Sequence, residues 1–567
     1  MIRHYVLRRS LLCVALFASL SLLAAAQVPS QEQKPVASQP AGAADDTGTA
    51  LARAEGLLRK GSFDQAIVTY NEVLKSDPQS GGAYAGVVLC YLKQDNLHNA
   101  AEWLAKGLQA NSSDPRLKEA QGELLFRQGN IPEAEHIFVQ LINSGKAPAR
   151  AYLGLAEVSS AAALYAREHR LVLKAHELDP SDPDIQKEWI GMLPRADRVK
   201  EFESYLAESH GDDGETRRSI AEYLEMLKAR QAAPGATCRL ASDVAATETD
   251  LRPLLRDVNH LRGLGLSVVI NDQKSTLLFD TGAGGITINS RLAERAGVRR
   301  LSETHIGGIG DKGPVKGYRA YADSIRIGKL EFRNCLVDVV DKRSVAEEEE
   351  GLIGADVFAP FLIEIDFPKR TLNLSQLPAR PGEPSAKPSL AIDDQEPGSE
   401  SDPKLAGNAT SEANPAPVPQ YFDRYISPEM KTYAAVFRFG HMLLVPTKIN
   451  DVSGKLFLID SGAFNNTITP DAAREVTKVH ANYDTTIKGV SGQVNKVYDT
   501  GAVVLEFGGL RQKNIDMLAF DFSHISRSVG TELSGTIGFP VLNLLKLRID
   551  YRDALVGFEY VPNPWLR

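Results

Sequence analysis

The pattern of apolar and polar positions changes at about residue 237. Before that point, stretches such as RRSIAEYLEMLKARQ are typical of α-helices. Beyond it, short runs such as LGLSVVIN, STLLFD and LIEIDF are rich in strand-forming residues and alternate with Gly and Asn turns. The chain is therefore predicted to have a helical N-terminal part and a β-rich C-terminal part.

The helical part contains a repeat with a period of 34 residues. Three sets of positions recur at this spacing: the turn residues Gly61, Asp95 and Gly129, the small residues Ala66, Ala100 and Ala134, and the large residues Tyr70, Leu104 and Phe138. A small residue lets two helices approach closely, and a large one fills the groove between neighbours. The period and these positions resemble the tetratricopeptide repeat, which implies an all-α solenoid over 49–184. Further helices over 185–230 are expected to cap the stack.

The β-rich part consists of two blocks, 237–377 and 420–562, which repeat four motifs in the same order. The first block contains FDTGA, HIGGIG, LIG and LIEIDF, and the second contains IDSGA, TIKGVSG, TIG and LRIDY. The aspartate of the first motif precedes the glycine of the third by 74 residues in one block and by 78 in the other. Near-equal spacing of four ordered motifs indicates a duplicated domain.

These motifs resemble the lobes of aspartic proteases, nearer to the retroviral (retropepsin) form than to pepsin. Alanine follows Asp-Thr-Gly and Asp-Ser-Gly, and Ile306–Gly310 is similar to the glycine-rich tip of a retroviral flap. The resemblance implies that each block is an all-β lobe. The predicted architecture is therefore multidomain, with an N-terminal all-α tetratricopeptide solenoid followed by two all-β retropepsin-like lobes.

The duplication has a chemical reason if each block supplies one carboxylate. Metal-free amide hydrolysis needs a base that activates water and an acid that donates a proton. Two adjacent carboxylates cannot both ionise, so they share a proton and can fill both roles. By resemblance, the catalytic pair is Asp280 and Asp460. The predicted function is an exported aspartic-type endopeptidase. The alternative is a catalytically silent binding or scaffold protein that keeps the retropepsin fold.

The resemblance implies two further groups of site residues. Thr281 and Ser461 would bridge the two active-site loops with hydroxyl hydrogen bonds, while Gly282 and Gly462 would let backbone amides approach the carboxylates. Glycine-rich hairpins would act as mobile flaps that close over the substrate. Their expected substrate-binding tip residues are Gly307, Gly308, Ile309, Gly489 and Val490.

Other chemistries have little support in the sequence. Gly308–Gly313 fits the letters of G-x-G-x-x-G, but strand-like residues follow it instead of a helix. Neither H-E-x-x-H nor G-x-S-x-G occurs, and no metal site or cofactor is predicted. The net charge of −8, without a long basic run, gives no support to nucleic-acid binding.

The N-terminus, MIRHYVLRRSLLCVALFASLSLLAAAQ, predicts an export signal over 1–26. Arginines precede an apolar run and three alanines, as in a cleaved signal, although an uncleaved membrane anchor is the alternative. A periplasmic or secreted protein is expected, with a disordered leader over 27–48 and no stable membrane span after signal removal. Export would permit a disulfide between Cys238 and Cys335, a pairing that the sequence leaves open.

Two regions bear on partners. Residues 378–419 contain nine prolines with many Ser, Asp, Glu and Gly residues, which predicts a disordered linker between the lobes. The concave face of a repeat stack usually holds peptide or protein segments. The expected partners are therefore a polypeptide substrate and a protein on that face. A role of the repeats as a simple spacer is the alternative.

Overall fold

The structure is a computed structural model that describes six stretches of the chain: residues 41–232, 238–257, 260–342, 350–381, 421–515 and 517–562. The predicted export signal and residues 27–40 of the predicted leader lie outside the described residues. So do all but the first four residues of the predicted linker 378–419. The described residues from Thr47 on belong to one compact unit, and apart from the first residues of the first helix the description below concerns this unit.

Helices fill the described part of the N-terminal region, as the 34-residue period predicts. The helices within residues 41–232 are α1 (Ala41–Arg59), α2 (Phe63–Ser76), α3 (Gly81–Lys93), α4 (Leu97–Ala110), α5 (Pro115–Arg127), α6 (Ile131–Asn143), α7 (Ala149–Ala161), α8 (Tyr165–Leu178), α9 (Pro183–Gly191), α10 (Arg195–Ala207) and α11 (Gly214–Ala232). The first helix begins at Ala41, so the predicted leader is wrong for residues 41–48. The amino-acid composition of this segment predicted disorder, but residues 41–48 are helical.

The large residues of the repeat pack closely against the next helix, as their size predicts. The ring of Tyr70 packs where a Cβ atom on Gly86 of the next helix would lie, at 2.1 Å. The ring of Phe138 packs in the same way against Gly154, where a Cβ atom would lie 2.3 Å away. The turn residue Asp95 has a φ of 56°, a left-handed conformation that Asp adopts more readily than most residues. A large side chain set against a glycine thus joins successive helix pairs.

The helical stack closes on itself. The turn at Gly61 touches the loop at Gly211, since a Cβ atom on Gly61 would lie 2.3 Å from the Cα atom of Gly211. Arg59 forms an ion pair of 2.6 Å with Asp179, although 120 residues separate them. These contacts enclose a cavity of about 180 Å³ on the inner face of the stack. The inner face is therefore occupied by charged side chains of the chain itself.

The β-rich region forms two lobes. Lobe 1 contains β1 (Arg239–Leu240), β2 (Thr247–Asp257), β3 (His260–Ile270), β4 (Gln273–Asp280), β5 (Ile286–Asn289), α12 (Ser290–Ala296), β6 (Arg299–Ile306), β7 (Val315–Ile327), β8 (Leu330–Val340), β9 (Gly351–Gly354), β10 (Phe361–Asp366) and β11 (Thr371–Gln376). Lobe 2 contains β12 (Ala434–Ala435), β13 (Phe437–Phe439), β14 (Met442–Ile449), β15 (Val452–Ile459), β16 (Thr467–Ile468), α13 (Pro470–Val476), β17 (Val479–Asn482), β18 (Lys488–Gly489), β19 (Gly492–Gln493), β20 (Val497–Thr500), β21 (Val503–Phe507), β22 (Leu510–Asn514), β23 (Leu518–Ala519), α14 (Ser523–Val529), β24 (Gly535–Ile537), α15 (Phe539–Leu542), β25 (Leu545–Asp550) and β26 (Leu555–Tyr560).

The duplication seen in the motifs is also present in the strand pairing. In lobe 1, β4 pairs in parallel with β9, which places Asp280 opposite Gly354. In lobe 2, β15 pairs in parallel with β24, which places Ile459 opposite Ile537. In both lobes the strand before the D-[TS]-G-A motif is thus held by the strand of the apolar-apolar-Gly motif. The two most specific motifs of each block therefore meet at one point of the fold.

The two lobes of this single chain share a sheet. Strand β10 of lobe 1 pairs antiparallel with β25 of lobe 2, and β11, β2, β26 and β12 extend the sheet on both sides. Glu364 lies opposite Arg548 and is bonded to it at 2.7 Å and to Lys546 at 2.9 Å. Nearby, Arg380 and Asp553 form a buried ion pair between the lobes at 2.5 Å. The lobes therefore pair within one chain.

The helical region packs directly on both lobes. Phe126 and Phe138 share an apolar core with Leu456 and Phe522 of lobe 2. The buried hydroxyl of Thr531 donates to the carbonyl oxygen of Phe126 at 2.6 Å. Helix α11 lies against strand β6 of lobe 1. The helical stack is thus a structural neighbour of the lobes, in contrast to a tethered spacer.

A disulfide joins Cys238 to Cys335, which answers the question that the sequence left open. It links the start of lobe 1 to strand β8, where Arg239 and Leu240 pair antiparallel with Arg333 and Phe332. The remaining described cysteine, Cys90, is buried in the helical core. The covalent link therefore fixes the point at which the helical region passes into lobe 1.

Candidate active site

The ends of β4 and β15 meet between the lobes and bring Asp280 and Asp460 together. The two carboxyl groups lie close enough for each to shift the pKa of the other. A Cβ atom on Gly462 would lie 2.2 Å from a carboxyl oxygen of Asp280, and one on Gly282 would lie 2.6 Å from the carboxyl carbon of Asp460. Each glycine thus abuts the carboxyl group of the opposite lobe, where any side chain would displace it.

Backbone amides hold both carboxyl groups in place. The N–H of Gly282 donates to Asp280 at 2.8 Å, and the N–H of Gly462 donates to Asp460 at 3.0 Å. A further bond to Asp460 comes from the N–H of Ala463 at 2.9 Å. The structure therefore places the two predicted glycines as backbone donors beside the pair.

The predicted hydroxyl residues bridge the two loops reciprocally. The N–H of Thr281 donates to the hydroxyl of Ser461 at 3.0 Å, and the N–H of Ser461 donates to the hydroxyl of Thr281 at 2.9 Å. Each hydroxyl then donates across the interface to a strand carbonyl, Ile459 at 2.8 Å and Phe279 at 2.9 Å. Four buried hydrogen bonds therefore lock one loop to the other.

The electrostatics of the pair favour one shared proton. Burial raises the pKa of Asp280, although the amide of Gly282 and the neighbouring Asp460 oppose the shift. Burial also raises the pKa of Asp460 well above its usual range, and the negative charge of Asp280 raises it further. Asp460 is buried, whereas Asp280 is partly exposed to the cavity. The two carboxyl groups therefore do not both ionise, and the pair shares one proton.

Two hairpins cover the pair. The tip between β6 and β7 and the β18–β19 hairpin are hydrogen-bonded to each other through the backbone. The N–H of Ser491 donates to the carbonyl oxygen of Ile309 at 3.0 Å, and the N–H of Lys312 donates to that of Ser491 at 2.9 Å. The imidazole of His524 reaches the carbonyl oxygen of Gly308 at 3.1 Å. The flap tips thus form a closed roof in this structure.

A cavity of about 810 Å³ lies beneath this roof. This volume is at the upper end of the range of roughly 300–1,000 Å³ that is typical of ligand pockets. The cavity is lined by both aspartates and by all the flap residues predicted from the sequence, which are Gly307, Gly308, Ile309, Gly489 and Val490. The predicted catalytic and flap residues therefore share one chamber.

Sequence reasoning missed His441, which lies beside the pair. It occupies the turn between β13 and β14, and its ring packs against Gly284, where a Cβ atom would lie 2.9 Å from the ring. Burial lowers the pKa of His441 to about 4, although Asp280 opposes the shift. The imidazole is therefore neutral above acid pH. No motif marks this residue, because only the pairing of the lobes brings it to the site.

Asp356 is a second residue that the sequence reasoning did not single out. It follows the LIG motif, and its carboxyl group accepts from the N–H of Gly285 at 3.0 Å. Burial raises the pKa of Asp356 to about 7. Its position supports the active-site loop from behind. Helix α11 adds Tyr223 and Met226 to the cavity wall, residues that the sequence assigned only to a capping helix.

Within the six described stretches, no group of three or more His, Cys, Asp or Glu side chains is placed to hold a metal ion. None of the described helices is long and apolar enough to cross a membrane.

Comparison with known families agrees with the geometry. Residues 266–357 match the model of the aspartyl protease family, and residues 57–124 match a tetratricopeptide repeat model. The chain joins tetratricopeptide repeats to an aspartyl protease domain. The protease match covers lobe 1 from β3 to the segment after β9. Lobe 2 lies outside this match, and its loop repeats the strand pairing and the hydrogen bonds of lobe 1.

Solved structures of repeat proteins are similar to part of the chain. One, titled "Functional Characterization of Pseudomonas Aeruginosa pilF", is 20% identical, and the alignment covers 34% of this chain and 95% of that chain with a TM-score of 0.24. A tetratricopeptide repeat protein from Parabacteroides merdae ATCC 43184 is 19% identical, with 31% and 70% covered and a TM-score of 0.25. No curated protein matches the chain.

Proposed function

We propose that this protein is an aspartic-type endopeptidase that hydrolyses peptide bonds with a water molecule activated by Asp280 and Asp460. The observation that carries the proposal is the convergence of the two carboxyl groups, each against the glycine of the opposite lobe's loop, in one roofed cavity. The reciprocal bonds of Thr281 and Ser461 support it, because they hold both carboxyl groups in one fixed arrangement.

The unequal burial of the two carboxyl groups supports a division of roles between them. Asp280, as the carboxylate, takes a proton from water while the water oxygen attacks the carbonyl carbon of the peptide. Asp460 donates its proton to the carbonyl oxygen, which forms a tetrahedral diol. The diol then returns a proton to Asp460, while the proton on Asp280 passes to the amide nitrogen as the C–N bond breaks. General acid and base catalysis of this kind contributes about 10²–10⁴-fold each.

The roof gives the site its second requirement, which is exclusion of bulk water. A dry cavity strengthens the electrostatic stabilisation of the developing charges. Because the tips are joined by backbone hydrogen bonds such as that between Ser491 and Ile309, a polypeptide can enter only when these bonds open. The opening of a flap is therefore a necessary step of each catalytic cycle.

The test is hydrolysis of an unfolded protein substrate by the purified chain between acid and neutral pH. Asp280→Asn and Asp460→Asn should each lower the rate by at least about 10²-fold, because each removes one of the two proton-transfer groups. The matched control is Asp323→Asn, an exposed aspartate paired with Arg299. Equal rates for the wild type and all three variants would contradict the proposal.

A catalytically silent binding protein is the second candidate, and the closed roof favours it. The tip of lobe 2 reads KGVS where lobe 1 reads GGIG, so two of the three glycines are replaced, and the two tips are bonded together. A silent protein would bind peptides equally well as the wild type and as the Asp280→Asn variant, and would cleave none. Cleavage that stops in both aspartate variants would eliminate this candidate.

We also infer that the protein is exported and that the tetratricopeptide repeats bring substrate or a partner protein to the lobes. Export is supported by the N-terminal sequence pattern and by the disulfide, since disulfides persist mainly in oxidising compartments. Fractionation of the cells that express the chain tests it, and recovery only in the cytosol would contradict it. Recruitment through the inner face of the stack would require ion pairs such as Arg59–Asp179 to open.

A further inference from the structure

Helix α11 of the helical region holds the flap strand of lobe 1. The carboxylate of Glu222 accepts from the backbone N–H of His305 at 3.0 Å and contacts the imidazole Nδ1 of the same residue at 2.6 Å. His305 lies in β6, two residues before Gly307 at the flap tip. Because its backbone N–H is held by a carboxylate, this point of the flap is anchored to a helix outside the lobe.

Apolar packing strengthens the same contact. Met226 and Leu227 of α11 are buried against Tyr321 of β7 and Leu336 of β8. The two strands of the lobe 1 flap, β6 and β7, and the neighbouring strand β8 therefore all contact α11. The buried side chains here are exposed by 5% or less, so the contact is a continuation of the core.

The same helix also presents side chains to the substrate cavity. Tyr223 and Met226, one turn apart on α11, line the chamber that contains the two aspartates. The hydroxyl of Tyr223 accepts from the buried guanidinium of Arg198 at 2.8 Å, and its ring stacks edge-on against Phe202 at 5.9 Å. The aromatic ring is thus fixed in position by helix α10.

Charged residues also line this side of the cavity, and Glu215 lies in the first turn of α11, two turns before Tyr223. Arg319 also lines the cavity, but its guanidinium lies 3.6 Å from the carboxylate of Asp338 and touches the sulfur of Met226 at 2.9 Å. The two opposite charges offset each other. A held aromatic ring beside a thioether, with Leu336 behind them, is suited to an apolar side chain, since both groups offer polarisable contact area.

We propose that helix α11 forms a third wall of the substrate cleft, in addition to the two lobes. Tyr223 and Met226 constitute a subsite that selects a large apolar side chain of the polypeptide, and Glu222 is a positioning residue that fixes the lobe 1 flap. This inference rests on the proposed peptidase function. It means that the helical region belongs to the active site, and that the lobe 2 hairpin β18–β19, a separate two-stranded sheet, is the flap that opens.

The subsite is tested with the full chain and a library of peptides that vary one position at a time. Tyr223→Ala and Met226→Ala should lower kcat/KM at least about tenfold for peptides with a large apolar residue at one position, mainly through KM. Peptides with a small residue there should change less than about twofold. Tyr223→Phe should keep the wild-type preference, because it retains the ring.

The matched control is Glu225→Ala, an exposed residue of the same helix that pairs with Lys228. Equal loss for all peptides in Tyr223→Ala, or an unchanged preference in both alanine variants, would overturn the subsite. If the wild type cleaves no peptide, the peptidase proposal has failed, and binding of the same library is compared between Asp280→Asn and the double variant that also carries Tyr223→Ala. A difference in binding preference between these two proteins supports the subsite on α11. An unchanged preference shows that the subsite is wrong as well.

The anchor is tested by hydrogen exchange of the backbone amides. In Glu222→Ala, the amide of His305 should exchange at least about tenfold faster than in the wild type, and amides near the flap tip should follow. Glu222→Gln keeps an oxygen that accepts from this amide, so its exchange should lie between the two. The amide of Ile549 in β25, a strand paired on both sides in the sheet shared by the lobes, serves as an internal reference. If the amide of His305 exchanged at the wild-type rate in Glu222→Ala, the proposed anchor would be wrong.

Discussion

Thr281 and Ser461 each donate a backbone N–H to the hydroxyl of the other, although 180 residues separate them. Each residue is therefore both donor and acceptor in the contact between the lobes, and both are buried. The position of each carboxyl group of the Asp280–Asp460 pair depends on a residue of the opposite lobe. Stability and activity are thus coupled at this contact.

Removing one of these hydroxyls should affect both properties. Ser461→Ala leaves the N–H of Thr281 buried without its acceptor, which costs about 1–3 kcal/mol of unfolding free energy. Activity should fall as well, because Asp460 is the adjacent residue. Urea denaturation and peptide hydrolysis measure the two effects. Ser461→Thr retains the hydroxyl and should stay near the wild type, and an equal loss in this variant would show that packing is responsible.

The raised pKa of Asp460 predicts that the site is a source of instability at neutral pH. A carboxyl group whose pKa is higher in the folded state stabilises the protein below its unfolded pKa of about 3.9, and this contribution is lost as pH rises through the folded pKa. Asp460→Asn removes the ionisation. Its melting temperature should therefore exceed that of the wild type at pH 7, and the difference should shrink towards pH 4. A variant less stable at pH 7 would contradict this.

His441 should make the protein sensitive to acid. Its pKa is lowered to about 4 by burial, so the folded state binds this proton less readily than the unfolded chain, where the pKa is about 6.5. The stabilisation is present above about pH 6.5 and is lost as pH falls towards 4. His441→Gln should flatten the decline of melting temperature over this interval. The exposed His98 offers a control, since His98→Gln should leave the decline unchanged.

The disulfide should contribute substantially to stability. It closes a segment in which the two cysteines are 97 residues apart, and removal of a native disulfide costs about 2–5 kcal/mol. Cys238→Ser and Cys335→Ser should each lower the melting temperature, and the double variant should resemble the single ones. A reducing agent should affect the wild type and leave the variants unchanged. Cys90 is not part of this link, so Cys90→Ser keeps the disulfide and should still respond to the reductant.

The sequence predicted those parts of the fold that repeat within it. The 34-residue period identified the helix pairs through Tyr70 and Phe138, and the two D-[TS]-G-A motifs identified Asp280 and Asp460. In both cases the local pattern is weak alone, and its recurrence within the chain made it informative. The resemblance to aspartic proteases supplied the hydroxyl and glycine residues around the pair, and the structure places them after two strands that each have a parallel partner.

What the sequence could not supply are contacts made only by the assembly of the parts. His441 reaches the site because the lobes pair through β10 and β25, and nothing in its neighbourhood distinguishes it from the other histidines. Tyr223 and Glu222 belong to a helix whose local pattern indicates only a cap. Their role depends on the packing of α11 against β6, which joins segments about 80 residues apart.

The contact between Gly61 and Gly211 sets the length of the helical stack. An open solenoid tolerates the gain or loss of a repeat, since each unit touches only its neighbours. Here the first turn meets the loop before the last helix, and Arg59 meets Asp179 across the centre. Inserting or deleting one 34-residue unit would separate these partners and shift α11 away from the flap. The number of repeats therefore determines the shape of the cleft as much as the residues that line it do.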